Sequence, residues 1–331
     1  MERYQAMKPM TFAPLGALLL GLSAVSLSQQ ACSQTYPQRP VRMIVTLAAG
    51  GAVDAVARML ATSLTERLGQ QVVVDNRPGA GGSVGGEAVA RANPDGHTLL
   101  MAANGTVAVA PHLITNLPYD AQRDLMPISQ VVTSPLAMVV HPAVPARSIR
   151  EFIDLAKSRP GTINFASSGN GSTGHLGSEL FKSAAGVDLV HVPYRGAAPA
   201  LIDLIAGQTQ MQVTAVSGAL LFIKSGKLRA LGVTSPKRVA VLPDVPAIAE
   251  TLPGYEVISW YGLFTTAGTP QAVVARLNRE TVAAVNDPAL SGRLSALGLE
   301  PETSTPEAFD AWVRSEHAKW GKLIRALNIR L

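Results

Sequence analysis

The chain has 331 residues, a formal net charge of +5, six histidines and one cysteine. A single cysteine excludes a disulfide framework and thiol-based metal binding. Basic residues dispersed without a Lys/Arg block exclude nucleic acid as a partner class, and the length suits roughly two globular domains.

Arg3 and Lys8 precede an uncharged stretch, residues 12–27, and a small polar run, 28–33, follows it. A basic start, an apolar run and a cleavage region in that order predict a secretory signal. The apolar run falls short of the about 20 residues that a membrane span requires. Ala31 and Ser33 satisfy the small-x-small rule for cleavage after Ser33. Residues 1–33 are therefore read as a signal peptide and the mature chain as periplasmic. Two alternatives stay open: an uncleaved anchor, and a lipid on Cys32, for which Gln29-Gln30-Ala31 is a poor lead-in. Two cations (Arg3, Lys8) and one anion (Glu2) leave with the leader, taking the charge from +5 to +4.

Residues 41–47 (VRMIVTL) read as the first strand and 52–68 as the first helix. A strand at 71–75, a Pro/Gly loop at 76–82, a helix at 83–92 and a strand at 98–102 follow. This βαβαβ order predicts a parallel sheet with helices on its faces. Residues 126–133 and 136–141 read as two near-continuous strands interrupted by Pro135, a crossing between domains. Ser148 and Glu151 form a capping box for a helix running to about residue 158. A second α/β series comprises strands at 163–166, 189–192, 211–215 and 228–233, with helices at 173–185 and 197–206. Residues 259–265 (SWYGLFT) read as a returning strand. Thr269-Pro270, Asp287-Pro288 and Thr305-Pro306 each pair an N-cap with a first-turn proline, opening three final helices. Phe309, Trp312 and Trp320 lie close to one stripe of the last helix, a packing pattern.

Two glycine-rich segments join a strand to a helix. In the run 167–175, Gly169, Gly171 and Gly174 make a literal G-x-G-x-x-G, which suggests a dinucleotide site. Its mid-chain position argues against that, as does Asp188 standing before the next strand rather than ending it. The run suits an anion better. Glycines let backbone N–H groups converge and the following helix presents its positive end. Ser168, Asn170, Ser172 and Thr173 add neutral donors fit for a carboxylate. A loop whose hydroxyls only cap their own helix is the bland alternative.

The segment 48–54 has the same physics, with Asp54 in the first helical turn, where capping suits it better than catalysis. One helix N-terminus contributes up to about 2 kcal/mol to a partly buried anion and two about 4, against the roughly 8 of micromolar binding. Side-chain donors and lobe closure must supply the rest. The six histidines show no H-x-x-x-H spacing and no carboxylate cluster, so no metal or other cofactor is expected. No G-x-S-x-G elbow and no spaced nucleophile and base occur. Tyr194-Arg195-Gly196 can either reach a ligand or sit in solvent.

The stretches YPQRPVRMIV (36–45), GGAVDAVAR (50–58), VVVDNRPGAGGSVGGEAVARANPDGHTLL (72–100), LPYD (117–120), INFASSGNGSTGHLGSELFKSAAGVDLVHVPYRG (163–196), GKLRALGVTSPKR (226–238), LPDVPAIAE (242–250) and GLFTTAGTP (262–270) together resemble one family. It is that of the extracytoplasmic solute receptors of tripartite tricarboxylate transporters, the Bug (Bordetella uptake gene) receptors. The resemblance runs from about Tyr36 to the C-terminus. It implies an α/β, type II periplasmic-binding-protein fold with two lobes around a ligand cleft, here 34–137 with 261–331 and 138–260. It implies a carboxylate ligand held between the two loops, delivery to membrane subunits, a monomer and no enzymatic activity. The site residues so implied are Ala49, Gly51, Ala52, Val53, Asp54, Thr106, Ser168, Asn170, Gly171, Ser172, Thr173 and His175.

Departures bear on the ligand. The first loop of such receptors reads like PFPPGGATD, whereas here 46–54 is TLAAGGAVD, so Val53 replaces a threonine. Val107 stands where a Gly-Thr-His type stretch is common, and Thr214 and Ala215 lie near a frequent aspartate. A less polar pocket implies one carboxylate on an apolar or aromatic body rather than citrate. The rival readings are a dehydrogenase using the G-x-G-x-x-G and a ligand sensor with no transport role.

Overall fold

The structure, a computed structural model, describes Glu2, residues 36–194, residues 196–326 and Ile329. The expected signal peptide (Glu2 apart), Cys32 and Arg195 lie outside the described residues. Residues 1–38 and 39–331 separate into two units. In the first, the Tyr36–Pro37 bond is cis; the second holds every element that follows.

Its first sheet begins with β1 (Val41–Val45), a β-branched run whose side chains are buried except for Arg42. Helix α1 (Ala52–Leu68) buries Val53, Val56, Ala57, Leu60, Leu64 and Leu68, the i, i+3, i+4 spacing of one helical face. Strands β2 (Val72–Asn76) and β3 (Thr98–Ala103) flank β1 in parallel, with α2 (Ser83–Ala90) between them in sequence. After β3 the backbone winds into a π-helical turn, Gly105–Val109, and the short helix α3 (Ala110–Leu113).

Strand β4 (Leu125–Val140) is longer than the sequence pattern suggests. The expected break at Pro135 does not occur. Pro135 pairs with Ile258 at the end of one ladder, and the next ladder begins at Leu136. Proline is tolerated where a strand passes from one set of partners to another, because its missing N–H falls at a ladder end.

The second sheet follows. Helix α4 (Ile149–Ser158) starts at Ser148, whose Oγ accepts the Glu151 N–H at 3.1 Å. The expected reciprocal bond shifts by one residue: Glu151 accepts from Arg147 N at 2.7 Å. Next come β5 (Asn164–Ser167), α5 (Thr173–Ala185), β6 (Val190–Pro193), α6 (Ala197–Ile205) and β7 (Met211–Ala215). A helix the sequence reading missed, α7 (Val216–Lys224), leads to β8 (Arg229–Val233). Ser217-Gly218 in its first turn weakens the helical signal. Strand β9 (Ile258–Thr266) returns to the first sheet.

Helices α8 (Gln271–Val285), α9 (Pro288–Ala296) and α10 (Pro306–Ala326), with the short β10 (Glu300–Pro301), end the fold. Asp287 and Thr305 cap as expected, accepting from Ala289 N and Ala308 N. Thr269 does not; its hydroxyl donates to the Thr266 carbonyl at 2.8 Å, and Pro270 occupies the cap.

One sheet therefore has the order β2-β1-β3-β9-β4, with β10 on the far side of β4, and the other β6-β5-β7-β4-β8. The two share only β4. Its first half pairs with β9 and its second with β7 and β8, all antiparallel. Thr234 secures the junction: its hydroxyl lies against the carbonyls of Leu136 (3.1 Å) and Val257 (2.6 Å). Phe309 and Trp320 pack α10 onto the first sheet, fully buried, and Trp312 packs half-buried beside them. Each fully buried ring contributes on the order of 2–3 kcal/mol.

Candidate functional site

Parallel strands bring their C-terminal ends to one edge, where α/β sheets bind ligands. β1, β2 and β3 feed the segments 46–51, 77–82 and 104–106; β5 feeds 168–172, and β6 leads to Tyr194. Register shows where these edges lie. Ala103 at the end of β3 sits opposite Tyr261, and Ala215 at the end of β7 sits opposite Leu136. Both edges thus meet the crossing at residues 134–136 and 257–261.

In the first half-site, Leu47, Ala48, Ala49, Gly50 and Gly51 are exposed. Gly51 is the N-cap of α1 and has no side chain with which to cap, so the first three helical amides, of Ala52, Val53 and Asp54, are left without helical acceptors, the first helical bond running from Ala55 N to the Gly51 carbonyl. Asp54 is buried and occupied. Its carboxylate accepts from Gly50 N (2.9 Å), Arg58 Nε (3.0 Å) and Asn76 Nδ2 (3.0 Å). Burial pushes its pKa up, but those three donors outweigh burial and hold it below the ordinary carboxylate value. Asp54 thus shapes the loop from inside. Thr106 is also turned inward, its Oγ1 3.2 Å from that of Thr46.

In the second half-site, Ser172 caps α5 by accepting the His175 N–H at 3.2 Å. Thr173 and Gly174 hold the two free amides of the first turn. Gly174 packs directly on β7; a Cβ there would lie 2.2 Å from the Val213 carbonyl oxygen. Ser168, Gly171, Ser172 and Thr173 are half-buried and Asn170 is exposed. His175 is buried, and its Nδ1 accepts the Gly171 N–H at 3.1 Å. Its ring stacks on His191, centroids 4.0 Å apart. Burial first, then Lys182, lowers the His175 pKa to about 4. Burial first, then His175, does the same for His191, also to about 4.

Asn104 joins the half-sites. Fully buried beyond β3, it donates from Nδ2 to the Ile258 carbonyl (3.3 Å) and accepts at Oδ1 from Ser259 (3.1 Å) and Thr173 (3.5 Å). The sequence shows Asn104 and Ser167 only as parts of longer stretches and His191 only as one of six histidines, and gives no sign of a site role for Arg58, Asn76 or Ser259. No local spacing links Asn76 to Asp54 or Asn104 to Thr173. The expectation that Val53 and Val107 make the cleft less polar is not met by their side chains, which are 2% and 0% exposed. Leu47, 42% exposed on the first loop, is the large apolar side chain that does stand open there.

Two α/β half-sites whose strand ends meet at a shared crossing define a two-lobe solute-binding protein of the periplasmic-binding-protein type. Residues 56–329 match the family described as "Tripartite tricarboxylate transporter family receptor", and the chain belongs to that family. It is 42% identical over 87% of its length to the "UPF0065 protein in tcbD-tcbE intergenic region" of Pseudomonas sp. (strain P51), covering 86% of that protein. It is similar to the structure of the periplasmic binding protein BugD, with TM-score 0.78, 38% identity and coverage of 89% of this chain and 99% of that one. The structure of R. palustris Rpa4515 with adipate gives TM-score 0.81 at 33% identity, again covering 89% and 99%. Function in this family is solute binding, and the chain is a receptor. Among the described residues, no helix is long and apolar enough to cross a membrane.

Proposed function

We propose that the mature chain is a periplasmic receptor that clamps a small carboxylate between lobes 34–137 with 261–331 and 138–260. It hands the ligand to the membrane subunits of a tripartite transporter, acting as a monomer and catalysing no reaction. The observation that carries this reading is the pairing of two helix entrances with free first-turn amides, that of α1 with no side-chain cap and that of α5 capped only at His175 N, at strand ends that meet at one crossing. Free amides at Ala52, Val53, Thr173 and Gly174 favour anionic oxygen without a cationic side chain. Ala49, Gly51, Ser168, Asn170, Gly171 and Ser172 surround them, while Asp54, Thr106 and His175 hold the loops in shape. The adipate in a similar receptor supports the carboxylate class. Leu47 favours a ligand with an apolar body.

Calorimetry on unfolded and refolded, ligand-free protein tests it, with adipate, citrate, an aromatic monocarboxylate and NAD as probes. Micromolar binding of adipate or the aromatic acid is expected. Tight citrate binding with no response to the other acids sinks the apolar-body assignment, and NAD binding alone revives the dehydrogenase. Exported protein should begin at Gln34; a lipid on Cys32 overturns the freely diffusing form.

A further inference from the structure

Three stacked rings from three elements stand behind the loop of the second half-site. Phe165 on β5 lies 4.8 Å from His191 on β6, and His191 lies 4.0 Å from His175 on α5, with planes within 17° and 13° of parallel. The pile meets the loop at two points. His175 Nδ1 accepts the Gly171 N–H. His191 Nε2 lies 2.7 Å from Ser167 Oγ, which in turn accepts the Gly169 N–H at 3.1 Å. Both loop glycines sit at positive φ, 128° and 73°, and their amides turn inward to this pile.

An imidazole nitrogen that accepts an N–H carries no proton, so His175 is the neutral tautomer protonated at Nε2. The charged and titratable groups facing the pile are Lys182 and Glu179 of α5 and His191 itself. Lys182 Nζ bonds Glu179 at 3.1 Å and stands 5.7 Å from the centre of the Phe165 ring. A proton on His175 Nδ1 replaces the acceptor with a donor that points at the Gly171 N–H.

Resting on the reading of residues 168–173 as the carboxylate loop, we infer that His175 and His191 are positioning residues that never touch the ligand. The His175 imidazole is the acceptor that keeps residues 167–171 folded against α5, so that the helix entrance faces the cleft. Burial keeps that acceptor free of a proton down to about pH 4.

The test uses the mature chain, first without ligand and then with adipate as probe. Without ligand, the 15N signals of His175 should show an unprotonated Nδ1 and a protonated Nε2 at neutral pH. The Gly171 amide resonance should follow His175 titration with a midpoint near 4. The variant H175N, whose amide oxygen can take the same N–H, should bind adipate within about threefold of the parent and lack the acid step. H175F keeps the ring pile without an acceptor and should bind about tenfold more weakly, the loss of one hydrogen bond. A protonated Nδ1, a Gly171 amide indifferent to His175 titration, or H175F equal to the parent overturns the inference. Failure of the parent to bind adipate speaks against adipate as the ligand instead, and the amide titration then decides the inference alone.

Discussion

The hydroxyl of Thr173, in the first turn of α5, lies 3.5 Å from the carboxamide oxygen of Asn104, and the two residues hang from different sheets. Asn104 also bonds the backbone and side chain at the start of β9. One buried amide therefore touches both half-sites and the returning strand. Asn104→Ala strands the Ile258 carbonyl and the Ser259 hydroxyl and should destabilise the fold by about 1–3 kcal/mol. It should also weaken carboxylate binding, because the entrance of α5 loses its tie to the first lobe. Urea denaturation and calorimetry read the two effects; an unchanged denaturation midpoint contradicts the assignment.

Glycine substitutions separate close approach from open space. Gly174→Ala places a methyl against the Val213 carbonyl, backbone that cannot swing aside. It should cost about 1–3 kcal/mol and displace the entrance of α5, lowering ligand affinity as well. Gly292→Ala, in α9 with nothing within 4 Å of the new Cβ, should stabilise by about 0.5–1 kcal/mol. Thermal melts of the two variants should move in opposite directions.

Acid should destabilise the protein before its carboxylates titrate. Burial first, then neighbouring charge, holds His175 and His191 near 4, against an ordinary value of 6.5. Burial is also the first cause lowering His112 and His317. Between about pH 4 and 6.5 the unfolded chain binds more protons than the folded one, so stability rises with pH across that window. Below it, Asp54, Asp75 and Asp95, whose partners hold them under the ordinary carboxylate value despite burial, add their own loss. Urea midpoints at pH 7, 5.5 and 4.5 should fall in that order, and a double variant, H175N with H191Q, should flatten the trend. Equal midpoints at pH 7 and 4.5 contradict this.

Glu316 is a buried carboxylate gripped by two indoles. It accepts from Trp320 Nε1 at 2.9 Å and Trp260 Nε1 at 3.3 Å, and Lys319 approaches it at 3.3 Å. Glu316→Ala leaves both indole donors buried and unmet, a loss of about 3 kcal/mol or more. Glu316→Gln retains an acceptor and should lose less. Both should shift tryptophan emission, since Trp260 and Trp320 lose a charged neighbour. Denaturation followed by fluorescence orders the variants, and a stable Glu316→Ala protein refutes the grip.

The elements were legible because their signals are local. α1 was read to the residue from its apolar spacing, and most strands to within two residues. What escaped depended on contacts between distant parts. Pro135 reads as a break until β9 and β7 supply its neighbours, since only those partners reveal that its missing N–H falls at a ladder end. The helix entrances at Gly51 and Ser172 were visible in the glycine and hydroxyl pattern, whereas the Asn104 bridge spans 69 residues to Thr173 and leaves no periodic trace. Val53 and Val107 show the opposite error. Their correspondence to polar positions in the loops of similar receptors pointed them at the cleft, but the helical phase of α1 and the π turn bury their side chains.

The sharing of β4 also orders events in time. All strands of the second sheet lie within the contiguous stretch from Leu136 to Val233. The first sheet stays incomplete until Ile258–Thr266 arrives to lie between β3 and β4. Local closure precedes distant closure in folding kinetics, so the inserted sheet matures first and the outer one last. A chain emerging N-terminus first must hold β1, β2 and β3 unfinished while more than a hundred further residues pass. Until then the facing edges of β3 and of the first half of β4, both of which β9 will pair, are open to non-native strand pairing.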